Sequence, residues 1–475
     1  MSADLALPES AANRRAERGI AAAAVIFLLL PLLFFSSPEY REAGFLVFGI
    51  VALALGGWMP AFRTALGDRR VQAVVACLLV AEAAAIAGGL GHGESAGQVW
   101  KLALAGMAGV LGTGVIVLLL LQPRWKARGG WVALALTVML LVASLAGYFV
   151  SYAWHLELSE KSPHFNPERI PVVWPTRMLA GWMGQQFWDH TNTAAYLFAV
   201  AWAVLVERLL HRPRFEKAGW TLALLLGVAI FLTASRSGWL MIALVLPILL
   251  VGRGWQTSLR VVAVLALAVG LGAAGLNLKL HLIEPPPAVA IDRVAPDLVG
   301  SFHVRGMVGR GSSGRLDAYR TLWQELEGDR LLGHGLAVNR SPVGSQLHEH
   351  SSYLATWRAG GWVALAAHLA VLGIALQAGL DLARRGCRWP LVLAVAVFAG
   401  LLFDRSTVFR SNGSDEFLTH WLAVWIPILA KIFREDPSRD DRSTDTRDPR
   451  IRQAHPGRVN SRAPRKTTRG SGPAR

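Results

Sequence analysis

Two cysteines in 475 residues exclude a disulfide framework and any cluster of thiolate metal ligands. Cys77 falls inside an apolar run and Cys387 in a basic loop, so the two are not placed to pair. Charge is the second shortage. Asp, Glu, Lys and Arg make up 17% of the chain while hydrophobic residues make up 53%. A water-soluble domain carries about a quarter charged residues, so this chain cannot cover itself with an ordinary aqueous surface. Also missing are a GxxxxGK[ST] phosphate loop, a repeat of fixed period and any segment that reads as a separate soluble domain. A P-loop nucleotide enzyme and a solenoid are thereby excluded. No cofactor is implied.

What is present is a series of membrane-length apolar runs. Crossing about 30 Å of hydrocarbon takes about 20 apolar residues, and runs near 19–36, 44–62, 71–90, 102–121, 131–153, 191–209, 219–234, 237–252, 261–279, 351–376, 389–404 and 417–433 qualify. The fold class expected is an all-α polytopic membrane protein with about twelve transmembrane helices and a large, partly helical external loop between helices 9 and 10. The first run follows an Arg-bearing segment and reads as a signal anchor.

The net charge of +16 is distributed as a membrane orientation signal, so no nucleic-acid partner is expected. With a cytoplasmic N-terminus, the inside loops carry Arg63, Arg69 and Arg70; Arg124, Lys126 and Arg128; Arg212, Arg214 and Lys217; Arg253 and Arg260; and Arg384, Arg385 and Arg388. The short outside loops are poorer in Lys and Arg. The organisation expected is a cytoplasmic N-terminus (1–18), helices 1–9 (19–279) with an external loop at 154–190, a large external loop with an amphipathic helix (280–350), helices 10–12 (351–433) and a disordered basic cytoplasmic tail (434–475). The basic end of that tail suits anionic lipid headgroups. Counting spans puts three polar segments on one face: Trp154 to His190, the turn at Ser235–Ser237, and Lys279 to His350.

The sharpest local feature is the turn. From Gly219 to Val251 the chain is apolar apart from TASRSG at Thr233–Gly238. One helix of that length would run about 50 Å, so the spacing predicts a hairpin at Ser235–Gly238 with arms of about 15–16 residues, or roughly 23 Å each. Arms so short recess Arg236 below the outer surface. A guanidinium there is costly to desolvate unless it meets an anion or a water-filled cavity; the alternative is an arginine that snorkels to the headgroups.

In the long loop, cap-forming Ser and Gly residues precede Leu316, Tyr319, Trp323 and Leu326 at helical spacing, with Gly328 as the stop. This reads as an amphipathic helix over the membrane body, with Arg315 in its first turn and Arg320 on its polar side. Free amides at such an N-terminus, beside a guanidinium, seat phosphate oxygens. His348 and His350 directly precede the next span. A His-x-His pair without a third ligand at suitable spacing is a poor metal site, whereas a histidine at a membrane mouth suits general-base work.

TASRSGWL (Thr233–Leu240), SGRLDAYRTLW (Ser313–Trp323), LLGHGL (Leu331–Leu336) and HSSYLATWRAGG (His350–Gly361), in that order around a long external loop, resemble the successive signatures of the bacterial O-antigen ligase and polymerase superfamily. DHTNTAAYL (Asp189–Leu197) is similar to the family's Asn-rich start of a span. The family pattern of His, then Asn, Ser or Gln, nine residues, then Gly-x-x-Gly is met by His350, Ser351 and Gly361, with Ala364 where the last glycine stands.

The resemblance implies a bacterial inner-membrane enzyme whose periplasmic face moves a glycan from an undecaprenyl-diphosphate-linked donor to an acceptor, which for a ligase is lipid A–core, without nucleotide or metal. The residues suit that chemistry. Guanidinium groups stabilise charge growing on a departing diphosphate, a role for Arg236 and Arg315. His350 would deprotonate the attacking hydroxyl, and attack opposite the leaving group inverts the anomeric centre. Arg320, His348, Ser351, Ser235 and Asn192 are expected to bind or orient substrate. A polymerase or a protein-glycosylating ligase shares donor and mechanism. An organic-anion transporter lined by Arg236 and Glu82 and a non-catalytic flippase partner are the readings from other classes.

Overall fold

The structure is a computed structural model and describes residues 38–122, 191–211, 216–233, 236–278, 323–335, 351–402 and 414–435, with isolated residues between 15 and 22, between 131 and 142, and at 320. Every regular element among them is helical: α1 (Pro38–Gly56), α2 (Pro60–Gly67), α3 (Arg69–Gly91), α4 (Ala96–Leu121), α5 (Thr191–His211), α6 (Glu216–Leu232), α7 (Arg236–Leu250), α8 (Trp255–Leu278), α9 (Ser352–Arg384), α10 (Trp389–Gly400) and α11 (Ser414–Glu435). The chain parts into two units, Met1–Lys431 and Ile432–Arg475; of the second, residues 432–435 are described, as helix.

By length and composition, four described helices can cross a membrane: α3, α4, α8 over Trp255–Ala274, and α9. Counting the bent pair α1–α2 as one span makes five, and Lys217–Leu232, Ser237–Leu250, Trp389–Gly400 and His420–Phe433 are apolar but shorter. The chain is a multi-pass membrane protein, and the expected count of about twelve is not reached among the described residues. One cause is visible at the second predicted span, 44–62. Gly56 and Gly57 end α1, Pro60 takes the first turn of α2, and the axis bends by 99°. Proline lacks an amide N–H to continue the helix behind it and is at ease at a new N-terminus.

Close approach between helices rests on small residues, as it does where lipid offers no hydrophobic drive. Gly49 of α1 faces Ala108 of α4 so tightly that a Cβ would lie 2.1 Å from the Ala108 carbonyl oxygen, and Gly112 meets Phe48 in the same crossing. Trp425 of α11 packs over Gly114 and donates Nε1–H to the Val110 oxygen at 3.0 Å. α9 runs along α3. The two arms predicted on either side of TASRSG are the separate helices α6 and α7, 17 and 15 residues long. Both pack on α5, and α6 also packs on α8 while α7 packs on α10.

Polar contacts pin one end of this bundle. Buried Glu207 of α5 meets Arg253 at 3.4 Å and His211 at 2.7 Å, Arg388 donates to the Val251 oxygen, Arg208 lies over Trp389, and Lys431 pairs with Asp381. Replacing Glu207 by Ala leaves Arg253 without its carboxylate. The expected result is a loss of roughly 1–3 kcal/mol, read as a lower unfolding midpoint in detergent; an unchanged midpoint would mean that water already satisfies the guanidinium.

Candidate functional site

The opposite end of the bundle gathers helix N-termini. Gly400, the last residue of α10, is so close to its neighbours that a Cβ would lie 2.3 Å from a ring carbon of Tyr196 in α5 and 3.0 Å from the Met241 sulfur in α7. Ser352 at the start of α9 donates its amide to the Leu401 oxygen at 2.9 Å, and Tyr353 donates its hydroxyl to the Phe398 oxygen at 2.8 Å. α5, α7 and α9 therefore all begin around the C-terminus of α10. Asn192 lies one turn before Tyr196 and Arg236 five residues before Met241, about 6 and 7.5 Å back along their helices. Three N-terminal ends, each with amides that lack an intrahelical acceptor, make this end of the bundle favourable to an anion.

α9 is broken at Gly360 (φ −134°, ψ 21°) and Gly361 (φ 63°, ψ −160°). The break is sharp. Tyr353 and His368 bring their rings to 5.9 Å, although fifteen residues of straight helix would separate them by about 22 Å. The crossing predicted at 351–376 thus starts after the break, and Ser352–Gly360 is a short helix folded beside it.

The break is filled by LLGHG. In an unbroken helix the Arg358 and Ala359 oxygens would accept from the Trp362 and Val363 amides. Here those oxygens accept from His334 N at 2.7 Å and Gly335 N at 2.9 Å, while the Trp362 and Val363 amides donate to the Arg330 oxygen at 2.8 Å and the Leu331 oxygen at 3.3 Å. Two helical bonds are exchanged for four bonds to the inserted segment, so no broken pair is left wanting. Glycine makes room for three backbones at once. A Cβ on Gly333 would meet the Arg358 oxygen at 2.4 Å, one on Gly335 the Gly89 Cα at 2.3 Å, and one on Gly88 the Leu332 oxygen at 2.5 Å. Ala364, at the position of the family's second glycine, is fully buried; its methyl sits where a Cβ on Gly360 would come within 2.4 Å.

Side chains anchor the same segment. Leu326 and Trp357 form a buried cluster with Leu354 and Leu365 against it. Trp357 lies 5.3 Å from Trp323 and 5.1 Å from Trp362, Arg330 stacks on Trp323 at 4.3 Å, and Arg358 faces Glu325 at 3.9 Å. Beside the junction, His92 from the α3–α4 turn and His334 both approach Asp329, at 3.3 and 3.8 Å. Partial burial and the neighbouring His92 pull the His334 imidazole below the usual histidine range, against the opposing pull of Asp329.

Of the residues singled out from sequence, Asn192 and Arg236 are placed by backbone, in the first turns of α5 and α7. Ser351 is buried and is the N-cap of α9, with no side-chain cap bond. Arg320 is helical and exposed. Ser235, Arg315, His348 and His350 lie outside the described residues, His350 immediately before Ser351. Sequence reading missed His92, Asp329 and the part played by Gly88 and Gly89. The signal available was the glycine pair ending an apolar run, matched by the glycines flanking His334.

Residues 221–369 match the family model described as O-antigen ligase. Over this stretch the chain is similar to O-antigen ligases. The stretch takes in most of α6, all of α7 and α8, the long loop with LLGHG, and α9 past its break. No curated protein matches the chain. The matched stretch contains Arg236, Arg315 and His350, and the family points to membrane glycosyl transfer of the ligase or polymerase type.

Proposed function

We propose that the chain transfers a glycan from undecaprenyl diphosphate to a sugar hydroxyl of lipid A–core at the periplasmic face of the bacterial inner membrane. The observation that carries this reading is the convergence of the α5, α7 and α9 N-termini, with Asn192, Arg236 and Ser351, around the end of α10. Helix N-termini and a guanidinium together suit a lipid-linked diphosphate.

In the step proposed, the acceptor oxygen attacks the anomeric carbon from the face opposite the diphosphate, and the C–O bond to the diphosphate breaks with its electron pair leaving on the phosphate oxygen. Arg236 and Arg315 stabilise that growing charge. His350 takes the proton of the acceptor hydroxyl. Arg320, His348, Ser351, Ser235 and Asn192 hold donor or acceptor, and neither a nucleotide nor a metal ion takes part in the transfer.

A deletion strain tests this reading through its polysaccharide. Loss of all capped lipopolysaccharide with accumulation of lipid-linked polymer is the expected result. Capping by a single repeat would assign the chain to the polymerase branch, and unaltered polysaccharide would overturn glycan transfer to lipid A–core. Arg236→Lys keeps the charge but loses the planar fork; transfer by purified protein should fall by more than about tenfold, and wild-type rates would remove Arg236 from the diphosphate seat.

A further inference from the structure

We propose that His92, Asp329 and His334 form a binding site for one zinc-like transition-metal ion, which ties the LLGHG segment to the turn between α3 and α4. The three side chains offer ligand atoms that all lie within 4.8 Å of one another. Both imidazoles point Nε2 at the same carboxylate oxygen, at 3.3 Å from His92 and 3.8 Å from His334, with ring centroids 4.4 Å apart. The second distance is too long for a hydrogen bond. A metal at about 2.0–2.1 Å from each ligand in tetrahedral geometry sets ligand atoms about 3.3 Å apart, so closing the site asks for shifts of about half an ångström at the His334–Asp329 pair and up to about 1.5 Å overall.

The fold positions the donors from two distant parts of the chain. His334 sits between Gly333 and Gly335, held by its amide bond to the Arg358 oxygen, and the Asp329 oxygen accepts from Gly333 N at 2.7 Å. His92 is fixed at the C-cap of α3, where its amide bonds back to the Gly88 and Gly89 oxygens. His92 and Asp329 reach solvent, which gives the ion an entry path and leaves a coordination position for water. Two imidazoles and one carboxylate select zinc, cobalt or nickel over magnesium or calcium. The ion acts as a clamp on the inserted segment and is independent of the transfer reading above.

The test is a titration of the full chain, purified in detergent and stripped by chelator, with Co²⁺ followed by visible absorption and then displaced by Zn²⁺. One equivalent per chain with ligand-field bands of a four- or five-coordinate ion is expected. The double variant His92→Gln with His334→Gln should weaken uptake by more than about 100-fold, and Zn²⁺ should raise the unfolding midpoint of the wild type alone. Asp329→Asn, at an exposed position, gives the same loss should the double variant not fold. His334→Cys restores binding with a thiolate charge-transfer band. Absence of stoichiometric uptake by the wild type, or equal uptake by the variants, overturns the site.

Discussion

His350→Ala is expected to leave the protein inserted in the membrane and to lower glycan transfer by about 10²–10⁴, the usual worth of a positioned general base. A sugar hydroxyl is a weak nucleophile, and its proton must go to a group that is neutral at working pH. An imidazole with an ordinary value near 6.5 meets that condition. His350 immediately precedes Ser351, which caps α9 among the gathered N-termini. The base would then stand beside the seat of the leaving diphosphate. His350→Gln separates base from scaffold, because the amide keeps a hydrogen-bonding group but cannot take up a proton at pH 7; it should be as inactive as Ala. The assay is transfer by purified variants of verified membrane insertion. Turnover within a factor of two of wild type in either variant would leave His350 a structural role only.

Gly361→Ala is expected to undo the junction between LLGHG and α9. Gly361 combines φ 63° with ψ −160°, a region open almost only to glycine and costing other residues about 1–3 kcal/mol. A Cβ there would also lie 2.1 Å from the Leu331 oxygen, which is backbone held by the Val363 amide. The inserted segment must move out, and the two carbonyls and two amides it served lose their partners. A fall of several kcal/mol in stability is therefore expected, with faster proteolysis in the loop and loss of transfer. Gly373→Ala is the control, since nothing lies within 4 Å of a Cβ there and alanine should be neutral or gain up to about 1 kcal/mol in a helix. Equal stability of the two variants would show that the junction does not hold the fold together.

The turn at TASRSG was legible because length against bilayer thickness is a local property: 33 residues from Gly219 to Val251 are too many for one crossing. Of the two described members of the apolar stripe expected in the loop, Leu326 is buried and Trp323 is exposed. The bends at Gly57–Met59 and Gly360–Gly361 were not read from the sequence, where both fall inside runs taken as single crossings, 44–62 and 351–376, although Gly56, Gly57 and Pro60 mark the first. A Gly-Gly pair permits a break but does not demand one. At Gly360–Gly361 the break exists because another segment supplies four backbone hydrogen bonds that compensate it.

His92, Asp329 and His334 illustrate the remaining gap. His92 is more than two hundred residues from its partners, and no spacing rule joins them. Only the packing of α3 against α9, with LLGHG between, brings the imidazoles together. By itself the sequence determined the all-helical membrane class, the division of the 219–251 run into two helices, and the O-antigen ligase resemblance, because hydrophobic length and short motifs are written in consecutive residues. Tertiary structure alone decided where α9 breaks, which helix N-termini share one end, and which polar side chains meet. Those outcomes depend on how closely glycine-lined backbones from distant parts of the chain approach one another, and on which amide finds which carbonyl there.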